Sequence, residues 1–176
     1  MEKALKTIAT NYGLYLGALL ALLTVLAYAL DLTLMTNMWF GIFILVVVIT
    51  LGIISVVKTK QALLGFATFK QAFASYFLTV LIGLVISNFV SYLLFNFIDP
   101  EAADTLKQLT IEKTIAMLEG FNTPNEIIAE SVDQMESQNQ YSLVNIIKSL
   151  AGSLVLFTLI GLVVAAFMKK NNPAAQ

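Results

Sequence analysis

"KTKQALLGFATFKQAF", residues 58–73, carries Lys58, Lys60 and Lys70 and no acid, and its flanks decide what kind of protein this is. An uncharged apolar run ends at Val57 on one side, and another begins at Gln71 on the other. A lysine-rich connection between two such runs marks the border of membrane helices, not a nucleic-acid surface or a soluble amphipathic helix.

Outward from this stretch the chain contains four charge-free runs: Thr7–Leu30, Leu32–Val57, Gln71–Ile98 and Ser149–Met168. Crossing the hydrocarbon layer takes about 20 residues at about 1.5 Å each, so every run is long enough. Ionisable residues bound each one. Composition agrees: the 176 residues are 59% hydrophobic and 12% charged, with mean hydropathy +0.85, whereas soluble domains are about 45–50% apolar and about 25% charged. In lipid a helix satisfies its own backbone groups. The predicted fold is therefore all-α. It is a single membrane domain over 1–176 with transmembrane helices at about 8–30, 38–57, 69–98 and 143–168.

The inventory excludes several chemistries. Net charge is −1 and the pI about 5.3, so there is no basic field for nucleic acid. Cysteine, histidine and arginine are absent, which removes zinc-type His/Cys sites, thiol nucleophiles and histidine bases. Neither a catalytic residue nor a cofactor or metal site is expected, and the chain is not expected to be an enzyme. None of the four runs contains Asp, Glu, Lys, Arg or His, and such residues ordinarily mark proton relays and ion paths.

Lysine placement predicts orientation. Lys3, Lys6, Lys58, Lys60, Lys70, Lys169 and Lys170 fall on one set of segments, against Lys107, Lys113 and Lys148 on the other. The lysine-rich side is expected in the cytoplasm with both termini. Lys58, Lys60 and Lys70 would anchor the inner interface and Trp39 the outer one. A competing reading makes residues 1–29 a secretory leader cleaved after Ala29, in "AYALD". The length of the first run and the close-packing spacing of Gly13 and Gly17 favour its retention as a helix.

Thr68 and Gln71 have capping-box spacing, which starts the third helix near Phe69, with Gly65 in the preceding turn. Phe66, Phe69, Phe73 and Phe77 then share one face. Between the third and fourth spans, the acid-rich segment of about 99–141 is expected outside the membrane. It should form two amphipathic helices, roughly 100–119 and 124–138. Asp99 is the expected cap of the first and Gly120 its stop, and a Thr123–Pro124–Glu126 capping box should start the second. The acids are spread over helical surfaces and do not converge on a cation.

The third run carries Ser75, Thr79, Gly83, Ser87 and Ser91 at steps of four, with Asn88 beside them. Two readings are open. In one, the stripe is a packing seam, where small and hydroxyl residues let helices touch and bond; in the other, it lines a polar pathway. Gly13, Gly17 and Gly161 are the close-packing candidates on the other helices. Gly41, Gly52, Ser55, Gly152 and Ala165 are further seam candidates.

"GFATFKQAF", with Gly65, Thr68, Phe69, Ala72 and Phe73, followed by a polar-striped helix ending in "IDPE" at Ile98–Glu101, resembles a family of bacterial four-pass membrane proteins called domain of unknown function 4199. The resemblance covers about residues 6–168. It implies four transmembrane helices with an extracytoplasmic segment between the third and fourth, and carries over no catalytic residue, substrate or cofactor. The expected function is non-enzymatic: a scaffold or accessory subunit of the bacterial inner membrane. Its expected partners are the lipid bilayer and a protein or second copy, met through the small-residue seams or the acidic outer segment. The alternative is a small channel or transporter for an uncharged or hydrophobic solute, lined by Ser75, Thr79, Ser87 and Asn88.

Overall fold

The computed structural model describes residues 2–170. Six α-helices run in the order α1 (Glu2–Leu30), α2 (Met38–Ala62), α3 (Phe69–Leu93), α4 (Pro100–Gly120), α5 (Asn125–Ser137) and α6 (Leu143–Met168). A 3₁₀ turn at Leu32–Thr36 joins α1 to α2, and a π turn at Leu94–Ile98 continues α3. There is no strand among the described residues. Helices α1, α2, α3 with its π turn, and α6 are each long and apolar enough to cross a membrane. The protein is a transmembrane helical bundle, with α4 and α5 as the pair between its third and fourth spans.

Local chemistry sets the ends of these helices. Thr68 Oγ1 accepts the Gln71 N–H at 3.3 Å while Gln71 Oε1 accepts the Thr68 N–H at 2.9 Å, a closed capping box at the start of α3. Helix α2 does not stop at Val57 but continues through Lys58 and Lys60 to Ala62, because lysine favours helix and meets water beyond the apolar run. It ends where Leu64 and Gly65 turn left-handed, φ 58° and 85°. Gly65 N–H then reaches Lys60 O at 2.9 Å and Leu64 N–H reaches Gln61 O at 3.2 Å, the paired closure of a Schellman cap.

The same device corrects the expectation for α4 and α5. Gly120 is the last helical residue of α4, and Asn122, φ 54°, supplies the left-handed cap. Thr123 N–H donates to Leu118 O at 3.0 Å and Asn122 N–H to Glu119 O at 2.9 Å. Thr123 is thus spent on closing α4 and does not cap α5, which starts after Pro124 with no side-chain cap.

Helix α3 is the centre of the bundle. It packs on α1, α2 and α6, while α1 and α6 lie on opposite sides of it and do not meet among the described residues. Burial of apolar area cannot drive such packing, since lipid tails are as apolar as leucine; close approach of surfaces does. Glycines provide it. A Cβ at Gly13 would lie 2.7 Å from Ile82 Cβ, one at Gly17 2.7 Å from Ile86 Cβ, and one at Gly83 2.6 Å from Leu16 Cγ. Between α2, α3 and α6 the fully buried ring of Tyr76 is held by Gly52 on one side and Gly161 on the other. Gly41 and Gly152, in contrast, meet nothing within 4 Å and belong to no seam. A leader ending at Ala29 would take with it Gly13, Leu16 and Gly17, the surface on which α3 packs.

At the end opposite the lysine-rich loop, a second core fastens α4 across the bundle. Leu94, Phe95, Ala102 and Leu106 are buried together, with Tyr28, Leu32, Met35, Ala103 and Tyr141 around them. The Phe95 ring packs on Tyr141 at 4.3 Å between centroids and edge-on to Tyr28 at 6.3 Å. Asp99 caps α4 by accepting the Ala102 N–H at 3.0 Å and also accepts the Tyr28 hydroxyl at 2.8 Å. The Tyr28 bond first, then the Ala102 N–H, holds the Asp99 carboxyl below its ordinary range. A depressed carboxylate stabilises the fold above its unfolded pKa and loses that contribution as pH falls through the folded value. Below about pH 4 the wild-type unfolding midpoint should therefore fall with pH, and Asp99→Asn should flatten that slope. Circular dichroism melts of detergent-solubilised protein across the acid range would test this, and equal slopes would refute it.

Candidate functional site

The polar stripe of α3 divides into two halves with different surroundings. In the half near the lysine-rich loop, Ser75 and Thr79 are fully buried. They face Ser55 and Thr59 of α2, also fully buried, although Thr59 stands between two lysines. Ser75 Oγ lies 3.0 Å from Ser55 Oγ and 2.8 Å from Thr59 Oγ1. The Thr79 hydroxyl has three acceptors in reach: Ser55 Oγ at 2.7 Å, its own-helix Ser75 O at 2.9 Å and Ala9 O of α1 at 3.1 Å. Four hydroxyls thus tie three helices at one level.

This cluster is chemically closed. Its oxygens are 2.7–3.0 Å apart, the spacing of hydroxyls bonded directly to one another, and that leaves no room for a solute between them. The chain contains no histidine to activate one of these hydroxyls as a base. Its bonds join α1, α2 and α3, and in lipid each polar group must find its partner inside the protein. Thr79→Val keeps the shape of the side chain, removes its hydroxyl and leaves its former acceptors with one donor fewer. We expect a loss of about 1–2 kcal/mol, read as a lower unfolding midpoint in detergent. A Thr79→Val protein as stable as wild type would mean that the cluster adds nothing.

In the other half, Gly83 is buried against Leu16, but Ser87, Asn88 and Ser91 are only partly covered. Asn88 Nδ2 returns to Leu84 O of its own helix at 2.8 Å. Asn88 and Ser91 line a recess of about 440 Å³ between α3 and the start of α6. The structure therefore separates residues that the spacing places on one stripe: Ser75, Thr79 and Gly83 are packed, while Asn88 and Ser91 border open space.

The lysines of the 58–73 connection have different settings. Lys58 and Lys70 are exposed. Lys60 donates to Met168 O at 3.1 Å, satisfying a terminal carbonyl of α6. Beside it, Ala67 and Lys170 exchange both backbone hydrogen bonds, Ala67 N to Lys170 O at 2.9 Å and Lys170 N to Ala67 O at 2.8 Å. The Lys170 ammonium sits 5.5 Å from the Phe66 ring centroid. Phe66 thus serves this latch, while Phe69, Phe73 and Phe77 stack in series along α3. Trp39 is exposed in the first turn of α2, next to the Asn37 cap.

Thr59 escaped the sequence reading because it follows Lys58, outside the charge-free run. The signal was present nonetheless: "SVVKT" at 55–59 and "SYFLT" at 75–79 have the same Ser–Thr spacing, and the two meet across α2 and α3. Among the described residues no cluster of acids is placed to hold a metal ion.

No curated protein matches the chain and no solved structure matches it. Residues 11–170 match the sequence model of the family described as Protein of unknown function (DUF4199). That span holds the whole of α2 to α6, the hydroxyl cluster and the latch from Ala67 to Lys170, and the chain belongs to that family.

Proposed function

We propose that the protein is a non-enzymatic scaffold or accessory subunit of the bacterial inner membrane, with the lysine-rich end and both termini in the cytoplasm. In this reading the bundle is a platform that presents the α4–α5 hairpin outside, to a protein partner or a second copy. The observation that supports it is the buried hydroxyl cluster: Ser75 and Thr79, which a solute path through the bundle would need, are fully buried and bonded to Ser55 and Thr59. The hairpin supports it from the other side, since among the described residues α5 packs on no helix but α4, and Met117, Phe121 and Ile127 are exposed there. The channel or transporter reading keeps only the Asn88 end of the stripe.

The natural absence of cysteine provides the test. Single cysteines at Lys60, Gln138 and Ser75 would be probed in intact cells with a membrane-impermeant thiol reagent. Labelling is expected at 138, with protection at 60 and 75. Labelling at 60 but not 138 would invert the orientation. Labelling at 75 would reveal a wet path through the bundle and overturn the scaffold reading in favour of transport.

A further inference from the structure

Helix α6 buries only Phe157, Gly161 and Ala165, all in its half near the lysine-rich end. The buried residues of α3 likewise stop at Leu84. Beyond that level the two helices leave between them the recess of about 440 Å³, which Asn88, Ser91, Asn145, Lys148 and Ser149 line together with Gln138 of the α5–α6 linker. Lys148 is the only charged residue on its walls, and no carboxylate faces it. Among the described residues the one ion pair joins Lys6 to Glu2, so Lys148 has no counter-charge. The hydroxyls of Ser91 and Ser149 make no hydrogen bond there either. Asn88 and Asn145 each give one amide N–H to a backbone carbonyl, Leu84 O and Asn139 O, and their side-chain carbonyl oxygens remain as acceptors.

Depth identifies the occupant. About 20 helical residues cross the hydrocarbon layer. Counted from Gln71, just past Lys70, they end at Val90; counted back from Met168, just before Lys169, they end at Ser149. Asn88, Ser91, Lys148 and Ser149 therefore lie together at the hydrocarbon–headgroup border. Phe89 and Ile147, the neighbours of Asn88 and Lys148 in sequence, are exposed at 59% and 57% and offer apolar surface at the same level.

We propose that this recess binds the phosphate headgroup of a membrane phospholipid at the end of the bundle away from the lysine-rich loop. The Lys148 ammonium pairs with the phosphate, and the Ser91 and Ser149 hydroxyls donate to it. The carbonyl oxygens of Asn88 and Asn145 accept from headgroup hydroxyls. The acyl chains descend along the diverging faces of α3 and α6.

The test uses the full chain in detergent micelles, with phosphatidylglycerol titrated and the retained lipid counted by native mass spectrometry. One phosphatidylglycerol should bind more tightly than the rest. Lys148→Gln should weaken that site about five- to tenfold, while Lys58→Gln, an exposed lysine at the other end, should not. Ser91→Leu should weaken it independently by filling the recess. Diacylglycerol, which lacks the phosphate, should bind poorly, and millimolar inorganic phosphate should not displace the lipid. The proposal is overturned if Lys148→Gln binds like wild type, if Lys58→Gln has an equal effect, if diacylglycerol binds as well, or if inorganic phosphate competes, which would make this a free-anion site.

Discussion

Gly52→Ala is expected to lower stability by about 3 kcal/mol, at the upper end of what overpacking ordinarily costs. The added Cβ would stand 2.5 Å from Tyr76 Cε2 and 2.7 Å from Cδ2. An aromatic ring cannot bend away as the tip of a flexible chain can. Nor can it retreat toward α6, because a Cβ at Gly161 would already stand 2.7 Å from Cδ1 on the opposite edge. The helices must separate, and in lipid their close contact is what holds them together. Alanine's higher helix propensity recovers at most about 1 kcal/mol. Gly41→Ala and Gly152→Ala make the same chemical change where nothing lies within 4 Å, and should leave stability unchanged or raise it by about 0.5–1 kcal/mol. Denaturant unfolding of the three variants in the same detergent separates packing from propensity. Equal effects at all three positions would show that the Tyr76 clamp is not tight.

Tyr76→Ala should have a still larger effect, about 3–5 kcal/mol, because it empties the site of a large buried ring at the junction of three helices. The informative companion is Tyr76→Phe. The Tyr76 hydroxyl is buried with no hydrogen-bond partner, and a buried polar group without a partner is unfavourable. Its removal should leave the protein as stable as wild type or more so, even though the residue is among the most buried in the chain. A clear loss of stability in Tyr76→Phe would mean that the phenol has a partner in the membrane, a bound water for instance. The two substitutions thus ask separately what the ring and the hydroxyl contribute.

The lysine-rich stretch at 58–73 shows how far the chain could be read before its structure was seen. The capping box at Thr68 and Gln71 depends on spacing alone and lies where the spacing puts it. The role of the residues just before it does not follow from spacing. Ala67 is buried because Lys170, more than 100 residues later, pairs with its backbone, and no local pattern announces such a partner. The same holds at Thr123, whose capping-box spacing is overruled by the left-handed Asn122 closing the preceding helix. Two local signals competed there for one short turn, and the sequence does not rank them.

By itself the sequence determined that four segments form helices long and apolar enough to span a membrane, with a helical pair between the third and fourth. A bilayer imposes length and self-satisfied hydrogen bonding on each segment separately, so those properties can be read one segment at a time. Only the tertiary structure decided which side of each span is buried. In water an apolar face marks the core, but in lipid the buried and exposed faces are equally apolar, so hydrophobic periodicity loses its meaning. What replaces it is contact between particular small and hydroxyl residues on different helices: Gly52 and Gly161 around Tyr76, and Ser55 and Thr59 against Ser75 and Thr79. Such pairing is a property of two segments at once. Folding therefore divided a uniform stripe on α3 into a buried, mutually bonded seam at Ser75 and Thr79 and an open, polar recess at Asn88 and Ser91.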